Sequence, residues 1–518
     1  MRGIRTWGLV CLGGIMVVLA ACEREPDPEW AQVSVAGEHA GEAAGEGRLF
    51  VVFAPADEEA PYARIGNPRA GADPFFATDV SGWSAGEDDA LAVSDELTGF
   101  PLSDPEAVPD GEYMVQAVYK TDFFFHEVAG PGSWLSEPVS VNWPEDRGEI
   151  ELVLEEKIED VVPRDRPHVR FVRIKSEKLS EFHDEEIHLR AAVIVPSDFD
   201  DTDEEYPVRY HIGGYGSRYT RALDLLETGT EFRDGWFDPE VPDFLMVYLD
   251  GTGPYGDPYQ INSRNSGPWG DAVVEELIPH IEQSFRAIAE PEARFLDGGS
   301  TGGWASLALQ VFYPEFFNGA WSFCADSPDF RHFQLVNLYE DENAFVNRHD
   351  YERPSKRDTD GEPEFSIRRE IEMEKALGRG DSFTTSGQQW GAWNALYGPS
   401  DDDGKPKPVW DQETGEIDHE VVEAWREYDL SLYLDENWPD IGEDLVGKLR
   451  IWMGDMDDYY LNNGMYRFAD LLEELDDPEP EAEFTWGPRQ GHCWVPLTHR
   501  EIFEQMQDRY EATVEEEN

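Results

Sequence analysis

The sequence predicts an α/β protein in which helices cover a mostly parallel sheet, preceded by a small all-β region. From residue 168 onward, strand-length apolar runs alternate with helical patterns, which is typical of βαβ units and a parallel sheet. Residues 47–156 instead carry strand-length runs between Gly, Pro and Asp loops, without a helical stripe. Hydrophobic residues make up 40% of the chain, including 17 Trp and 28 Phe, so a substantial core can form.

The first 21 residues predict an export signal rather than a part of the fold. Arg2 and Arg5 precede an apolar run over residues 10–20, which is too short to span a membrane. The run ends in residues 19–22, LAAC, which resemble the lipobox of bacterial lipoproteins. That resemblance implies acylation of Cys22 and a protein anchored by lipid on the periplasmic or outer-membrane face of the cell envelope. An ordinary signal peptide cut near Ala21 is the alternative.

The charge of the chain bears on its partners. The formal net charge is −69 at pH 7, and it becomes −71 once Arg2 and Arg5 are removed with the signal. Such a surface repels phosphate backbones and anionic head groups, so we expect no nucleic-acid partner and no membrane contact beyond the lipid anchor. Only nine of the 41 basic residues are Lys, which fits a surface adapted to high salt. A generally acidic exported protein is the alternative.

Composition and spacing divide the rest of the chain. Residues 22–46, rich in Glu, Ala and Gly, predict a flexible tether. Residues 47–162 predict an all-β, sandwich-like domain with strands at 48–54, 112–120, 137–143 and 149–154. A Pro-flanked segment, 163–167, marks the boundary to an α/β domain over residues 168–510.

The α/β domain is predicted to open with two edge strands joined by an acidic turn. The expected strands are residues 168–175, 187–195, 208–213, 244–249, 293–296, 320–324, 449–453 and 484–486. The expected helices are residues 271–286, 305–312 and 466–475. Residues 327–445 separate two core strands by far more than one crossover helix requires, so they predict an insertion, either a cap or a surface excursion.

The nucleophile is predicted from two copies of Gly-x-Ser-x-Gly, residues 82–86 and 298–302. Ser84 lies in a loop-like stretch. Ser300 lies between a strand-like run and a helical run, and this strand–turn–helix context is what the nucleophile elbow of α/β-hydrolases requires. We therefore predict the α/β-hydrolase fold with Ser300 as the nucleophile.

A serine hydroxyl needs a base, and the chain order in this fold is Ser, acid, His. His492 lies after the last predicted strand, where that order places the histidine. The acid is expected after the preceding strand, where Asp455, Asp457 and Asp458 compete and the residues alone leave the choice open. The oxyanion requires two N–H donors. Those of Thr301 and Tyr215 are predicted, with Gly216 as the second choice in its loop.

Five segments together resemble the esterase family that includes enterochelin esterases, esterase D and the mycolyl-transferring antigens. They are residues 210–216, 275–281, 298–303, 454–457 and 491–494, in the family's order and within residues 168–510. The family's Gly-x-x-Asp acid falls on Asp457, so the resemblance implies that Asp457 orients His492. Enterochelin esterases also place a β-sandwich before the hydrolase domain.

The predicted function is hydrolysis of small-molecule carboxylic esters through an acyl-enzyme, without a cofactor. No metal site is expected, because the Asp-rich loops 358–361 and 401–404 lack the Glu that a calcium loop needs. One alternative is an acyltransferase to a sugar or glycerol hydroxyl, as the mycolyl-transferring relatives suggest. Another is a non-enzymatic binding lipoprotein.

Two cysteines carry a separate hypothesis. Cys324 ends a predicted core strand and Cys493 follows His492, so both are expected at the C-terminal edge of the parallel sheet. In an oxidising compartment the two thiols can form a disulfide. The alternative is a pair of buried thiols that pack as small hydrophobes.

Overall fold

The computed structural model describes residues 29–86, 89–94 and 97–517. The predicted signal, residues 1–21, and the acylation site Cys22 lie outside the described residues. The described strands form one nine-stranded sheet, one eight-stranded sheet and two short ribbons.

The nine-stranded sheet occupies the N-terminal part of the chain. Its strands are β1 (Ala31–Val35), β2 (Gly45–Pro55), β3 (Phe75–Trp83), β4 (Leu91–Val93), β5 (Thr98–Phe100), β6 (Gly111–Lys120), β7 (Trp134–Ser136), β8 (Val139–Trp143) and β9 (Ile150–Lys157). Their order is β4-β1-β9-β7-β6-β2-β3-β5, with β8 beside β6. Only the pair β1 and β9 is parallel among these described strands. The four predicted strands correspond to β2, β6, β8 and β9, and the other five were not predicted.

The prediction of a flexible tether over residues 22–46 is wrong for its described part. Strand β1 pairs with β9 over five residues, and alternate side chains of β1 are buried. Trp30, just before β1, is fully buried, with its ring centroid 5.5 Å from that of Phe53 and 5.8 Å from that of Trp143. The sheet therefore curls so that strands far apart in its order share one core. Few large apolar residues lie in this segment, but the described ones, Trp30, Val33 and Val35, are buried.

The eight-stranded sheet holds the predicted α/β pattern. Its strands are β10 (Val169–Lys175), β11 (His188–Ile194), β12 (Val208–Ile212), β13 (Leu245–Leu249), β16 (Arg294–Gly299), β17 (Ala320–Phe323), β20 (Leu449–Gly454) and β21 (Glu483–Gly487). The ribbons are β14 (Asn262–Ser263) with β15 (Gly267–Pro268), and β18 (Pro354–Arg357) with β19 (Pro363–Ser366). The sheet order is β10-β11-β13-β12-β16-β17-β20-β21. Strands β10 and β11 are antiparallel to their neighbours in this sheet. The other six strands of the sheet run parallel to one another: β13, β12, β16, β17, β20 and β21.

Helices lie on both faces of this sheet. They are α1 (Glu177–His183), α2 (Ala222–Leu225), α3 (Glu231–Trp236), α4 (Trp269–Ala272), α5 (Ile278–Phe285), α6 (Thr301–Phe312), α7 (Ile367–Leu377), α8 (Gln389–Tyr397), α9 (His419–Trp425), α10 (Leu430–Ile441), α11 (Asn462–Glu474) and α12 (His499–Glu517). A helix, α1, replaces the acidic turn expected between β10 and β11. The single helix expected over residues 271–286 is α4, a π-helical turn at Val273–Leu277 and α5. Pro279 cannot donate to the carbonyl four residues earlier, and the wider π-turn directly precedes it.

Helix α6 is buried all round, as expected for a helix enclosed between layers. All residues from Thr301 to Val311 are buried. One face packs on β16 and β17, and α10 from the insertion lies against the helix as well. The helix that follows Ser300 is therefore held from several sides.

The predicted insertion contains α7 to α10 and the β18–β19 ribbon, and it contacts both sheets. Met373 and Leu377 of α7 pack in one apolar cluster with Phe50 and Val52 of β2. Arg48 of β2 is fully buried and donates to the Ala376 carbonyl at 2.9 Å. Among the described residues, no helix is both long and apolar enough to cross a membrane.

Candidate active site

Ser300 lies on a strained turn between β16 and α6. Its φ is 59° and its ψ is −122°, which is a costly conformation for a residue with a side chain. A Cβ added to Gly298 would lie 2.4 Å from the Gly302 carbonyl oxygen, and one added to Gly302 would lie 1.9 Å from the Ile212 carbonyl oxygen. Both positions therefore require glycine. Strand, tight turn and helix have the form of a nucleophile elbow.

His492 lies within hydrogen-bond distance of Ser300. Its Nε2 is 2.9 Å from the Ser300 Oγ, and its Nδ1 is 2.7 Å from the Asp457 Oδ2. An ionised carboxylate only accepts, so Nδ1 carries the proton and Nε2 is free to accept from the serine hydroxyl. The Tyr459 ring packs edge-on against the imidazole at 5.1 Å between centroids. The ring orientation is thus set by contacts on more than one side.

Asp457 follows β20 and is fully buried. Its Oδ1 accepts from the backbone N–H groups of Tyr459, at 2.9 Å, and Leu461, at 3.2 Å, so Oδ2 alone faces His492. Burial alone would lower the pKa of His492, but the adjacent Asp457 carboxylate outweighs burial and holds that pKa well above its usual value. The carboxylate therefore favours the imidazolium that proton transfer from Ser300 would create.

The other two candidate aspartates serve the backbone of the same loops. The Asp458 Oδ1 accepts from the backbone N–H of His492 at 3.0 Å. The Asp455 Oδ1 accepts from the backbone N–H of Arg489 at 2.5 Å. Of the three, only Asp457 contacts the His492 ring.

The loop after β12 brings the predicted oxyanion donor to the elbow. A Cβ on Gly214 would lie 3.9 Å from the Ser300 Cβ, so the residue before Tyr215 adjoins Ser300. The Gly216 N–H donates to the Asp257 Oδ2 at 2.9 Å, whereas the Tyr215 N–H meets no acceptor among the described residues. Thr301 is the first residue of α6, where N–H groups have no partner within the helix. The geometry favours Tyr215 over Gly216.

The loop between β6 and β7, residues 121–133, packs against the loop after β12, residues 213–217. The latter carries the predicted donor Tyr215 and is called the oxyanion loop below. A Cβ on Gly216 would lie 2.4 Å from the His126 Nε2, so the imidazole covers that backbone directly. The His126 and Tyr215 rings are 5.8 Å apart. Lys120, at the end of β6, donates to the three carbonyl oxygens of residues 125–127 at 2.7, 3.3 and 3.0 Å. No motif in the sequence marks His126, because its loop lies far from the elbow along the chain.

His126 itself is a mostly buried imidazole. Burial lowers its pKa, against the opposing charge of Glu127. Its Nδ1 has no hydrogen-bond partner among the described residues. Glu127 reaches Arg218 of the oxyanion loop region at 3.4 Å. The two loops are therefore joined by an ion pair as well as by ring packing.

A buried polar cluster adjoins the elbow on the insertion side. The Asp326 Oδ2 accepts from the Tyr259 hydroxyl at 2.7 Å and from the Trp393 Nε1 at 3.1 Å. The Gln389 Nε2 and the Thr301 Oγ1 donate to the Tyr259 hydroxyl at 2.6 and 3.1 Å. Burial raises the pKa of Asp326 to about 6, opposed by the bond from Tyr259. Gln389 and Trp393 belong to α8, so the insertion contacts the active site rather than forming a surface excursion. Sequence analysis identified no role for either residue.

A cavity of about 630 Å³ opens beside the elbow. Gly214, Gly299, Cys324 and Cys493 line it next to Ser300. Its other walls are apolar at Phe232, Phe323, Val495, Leu497 and Ile502, and polar at Arg209, His211, Asp297 and His499. Cavities of this size and mixed lining are typical of small-molecule sites.

Cys324 and Cys493 are close together but not bonded. Both are free thiols in this structure, Cys324 buried and Cys493 exposed, and the disulfide stays a prediction. Their sulfur atoms and one ring nitrogen of His492 lie within 4.8 Å of one another. Packing of the His492 loop against the end of β17 brings the sulfur atoms together without requiring a bond.

Two curated proteins are similar to part of this chain. No family model matches the chain. Esterase Rv1288 and Esterase MT1326 of Mycobacterium tuberculosis are each 31% identical to this chain over 150 residues, which is 28% of this chain and 30% of theirs. The match thus covers less than a third of the length of these curated relatives.

Solved structures of low identity are also similar. A ferulic acid esterase is 13% identical over 66% of this chain and 98% of its own, with a TM-score of 0.38. The fluorophosphonate-binding serine hydrolase FphF of Staphylococcus aureus is 14% identical over 67% of this chain and 99% of its own, with a TM-score of 0.38. The S-formylglutathione hydrolase from Agrobacterium tumefaciens is 15% identical over 68% of this chain and 98% of its own, with a TM-score of 0.36. Because these similarities are low, the evidence for an α/β-hydrolase fold is the order of the strands in the eight-stranded sheet and the strand–turn–helix at Ser300. The curated relatives that share part of the sequence are esterases.

Proposed function

We propose that this protein is a serine hydrolase that cleaves carboxylic esters of small molecules through an acyl-enzyme. The observation that carries the proposal is the hydrogen-bonded chain from Ser300 through His492 to Asp457, at a strained elbow beside a cavity. In this arrangement the His492 imidazole can act as a base for the Ser300 hydroxyl, and the Asp457 carboxylate balances the charge that the imidazole then acquires. The partial likeness to two curated esterases agrees with it.

The reaction follows from the roles of these groups. Ser300 Oγ attacks the ester carbonyl while His492 Nε2 takes its proton, and Asp457 keeps the imidazole in the useful tautomer. The N–H groups of Thr301 and Tyr215 stabilise the oxyanion. His492 then gives the proton to the leaving alcohol. Water attacks the acyl-enzyme with His492 again as the base, which releases the acid and restores Ser300.

Acyl transfer to a sugar or glycerol hydroxyl would use the same acyl-enzyme and differ only in the acceptor. No feature of the described residues favours that acceptor over water, so hydrolysis is the function we retain. A purely binding role leaves unexplained why Ser300 adopts a positive φ facing His492.

We also propose that the protein is exported and held in the cell envelope by lipid at Cys22. The support is the sequence LAAC at residues 19–22 after a short apolar run. Mass spectrometry of the N-terminal peptide from the native host tests this, with a diacylated Cys22 expected. An unmodified N-terminus beginning at Cys22, or a free start elsewhere, contradicts it.

Labelling with a fluorophosphonate probe tests the catalytic proposal directly. The probe should modify Ser300, because an activated serine attacks phosphorus as it attacks a carbonyl. Peptide mapping identifies the labelled residue. The Ser300→Ala variant should not label and Ser84→Ala should label normally. A probe found on any other serine would overturn the assignment.

A further inference from the structure

Two thiols lie beside the proposed catalytic base. Cys324 follows β17 and Cys493 directly follows His492, and their sulfur atoms lie within 4.8 Å of each other and of one His492 ring nitrogen. Cys493 is exposed, and both cysteines line the cavity beside the elbow. A cation that enters this cavity therefore meets the two cysteines, with the His492 ring nitrogen within 4.8 Å of their sulfur atoms.

The donor set selects a class of ligand. Two sulfur atoms and an imidazole nitrogen suit Zn²⁺, Cd²⁺ or Cu⁺, whereas Mg²⁺ and Ca²⁺ prefer oxygen. Three atoms no more than 4.8 Å apart leave a centre within about 2.8 Å of each, against bond lengths of about 2.0–2.3 Å for zinc. Side-chain rotations that move each donor by about half an ångström would close the site. The fourth position would face the cavity.

We propose that Cys324, Cys493 and His492 form an inhibitory site for a thiophilic cation, with Zn²⁺ as the ligand. Coordination converts both thiols to thiolates and releases their two protons to solvent. Both nitrogens of His492 are already engaged, one with Ser300 at 2.9 Å and the other with Asp457 at 2.7 Å. A cation on either nitrogen breaks one of these bonds, so metal binding and ester hydrolysis exclude each other.

Packing in the apolar core explains the position of Cys324 but not that of Cys493. Cys324 lies in an apolar cluster with Phe323 and Trp452, as a small hydrophobe would. Cys493 is exposed and gains nothing comparable from burial. An exposed thiol that lies within 4.8 Å of a second thiol and of a His492 ring nitrogen is better explained as a ligand.

Cadmium titration of the reduced protein tests the binding step without reference to activity. The full chain also contains Cys11 and Cys22, so the titration uses a Cys11→Ser/Cys22→Ser background. Cd²⁺–thiolate charge-transfer absorption should saturate at one ion per chain. Adding Cys493→Ser or Cys324→Ala should weaken binding at least tenfold, because each removes a direct ligand. No absorption, or absorption that survives Cys493→Ser, would overturn the site.

The inhibitory effect rests on the proposed function and is measured separately. Zn²⁺ should suppress ester hydrolysis in the same background, and EDTA should restore it. Cys493→Ser should raise the Zn²⁺ concentration for half inhibition at least tenfold, relative to that variant's own activity. In Ser300→Ala the cation should still bind, so failure of the esterase proposal would leave the Cd²⁺ titration intact. Cation binding without loss of hydrolysis would overturn the inhibitory role.

Discussion

The two Gly-x-Ser-x-Gly segments lie in the two sheets, and their surroundings differ. Ser84 directly follows β3 of the nine-stranded sheet and hydrogen-bonds to the Asp89 carboxylate in its own loop. Ser300 follows β16, opens α6 and faces His492 from a loop almost 200 residues away. Antiparallel neighbours send successive loops to opposite edges, whereas parallel strands collect their C-terminal loops at one edge. The parallel sheet, rather than the five-residue motif, brings His492 to Ser300.

The largest expected effect comes from replacing each of the two serines in turn, which distinguishes the two regions. Ser300→Ala should lower kcat on short p-nitrophenyl esters by about 10⁶-fold, because loss of a triad member removes most of the catalytic effect. Ser84→Ala should leave kcat unchanged. Thermal melting confirms that both variants fold. Equal activity in the two variants would show that the elbow has been wrongly assigned.

The acid loop offers a finer comparison within the parallel sheet. Asp457→Asn should lower kcat by about 10⁴-fold, because an amide facing Nδ1 permits the wrong tautomer. Asp455→Asn and Asp458→Asn remove acceptors for backbone N–H groups only, and should cost much less. Steady-state kinetics on the three variants decides the question. A greater loss at Asp455 than at Asp457 contradicts the assignment.

The nine-stranded sheet meets the active site at His126, which predicts a positioning effect. His126→Ala should lower kcat by up to about 10²-fold with little change in KM, because a loosened oxyanion loop misplaces the Tyr215 N–H. His39→Ala is the matched control, since His39 packs on Trp134 within the same sheet. A change in KM alone would argue against this role.

Salt concentration should affect the stability of the whole chain, and we expect this effect to be the smallest of those predicted here. The net charge of −69 opposes folding, and the Debye length falls from about 10 Å at about 0.1 M to about 3 Å at about 1 M ionic strength. The melting temperature should therefore rise by several degrees as NaCl increases over that range. A flat or falling melting temperature would remove the case for a salt-adapted surface.

Periodicity located the parallel sheet well and the nine-stranded sheet less well. All eight predicted strands from residue 168 onward coincide with strands of the eight-stranded sheet to within a few residues. Their apolar runs are long because both faces are covered by helices. Strands β4, β5 and β7 are only three residues long, too short for an alternating pattern to be read. The five-residue β1 and the nine-residue β3 were missed as well. Residues 22–46 were therefore interpreted as a tether, although Trp30 and alternate residues of β1 belong to the core.

The sequence by itself determined the order of the chemistry: a serine between strand and helix, then aspartates, then a histidine, each after a core strand. The tertiary structure decided which groups meet. It selected the Asp457 side chain for His492, committed the Gly216 N–H to Asp257, and brought His126 and Gln389 to the site from regions without a motif. The catalytic roles of these residues stay predictions. Local spacing specifies strands and turns because those depend on neighbouring residues. The direction of each side chain depends on packing between segments more than 30 residues apart, and no local pattern records it.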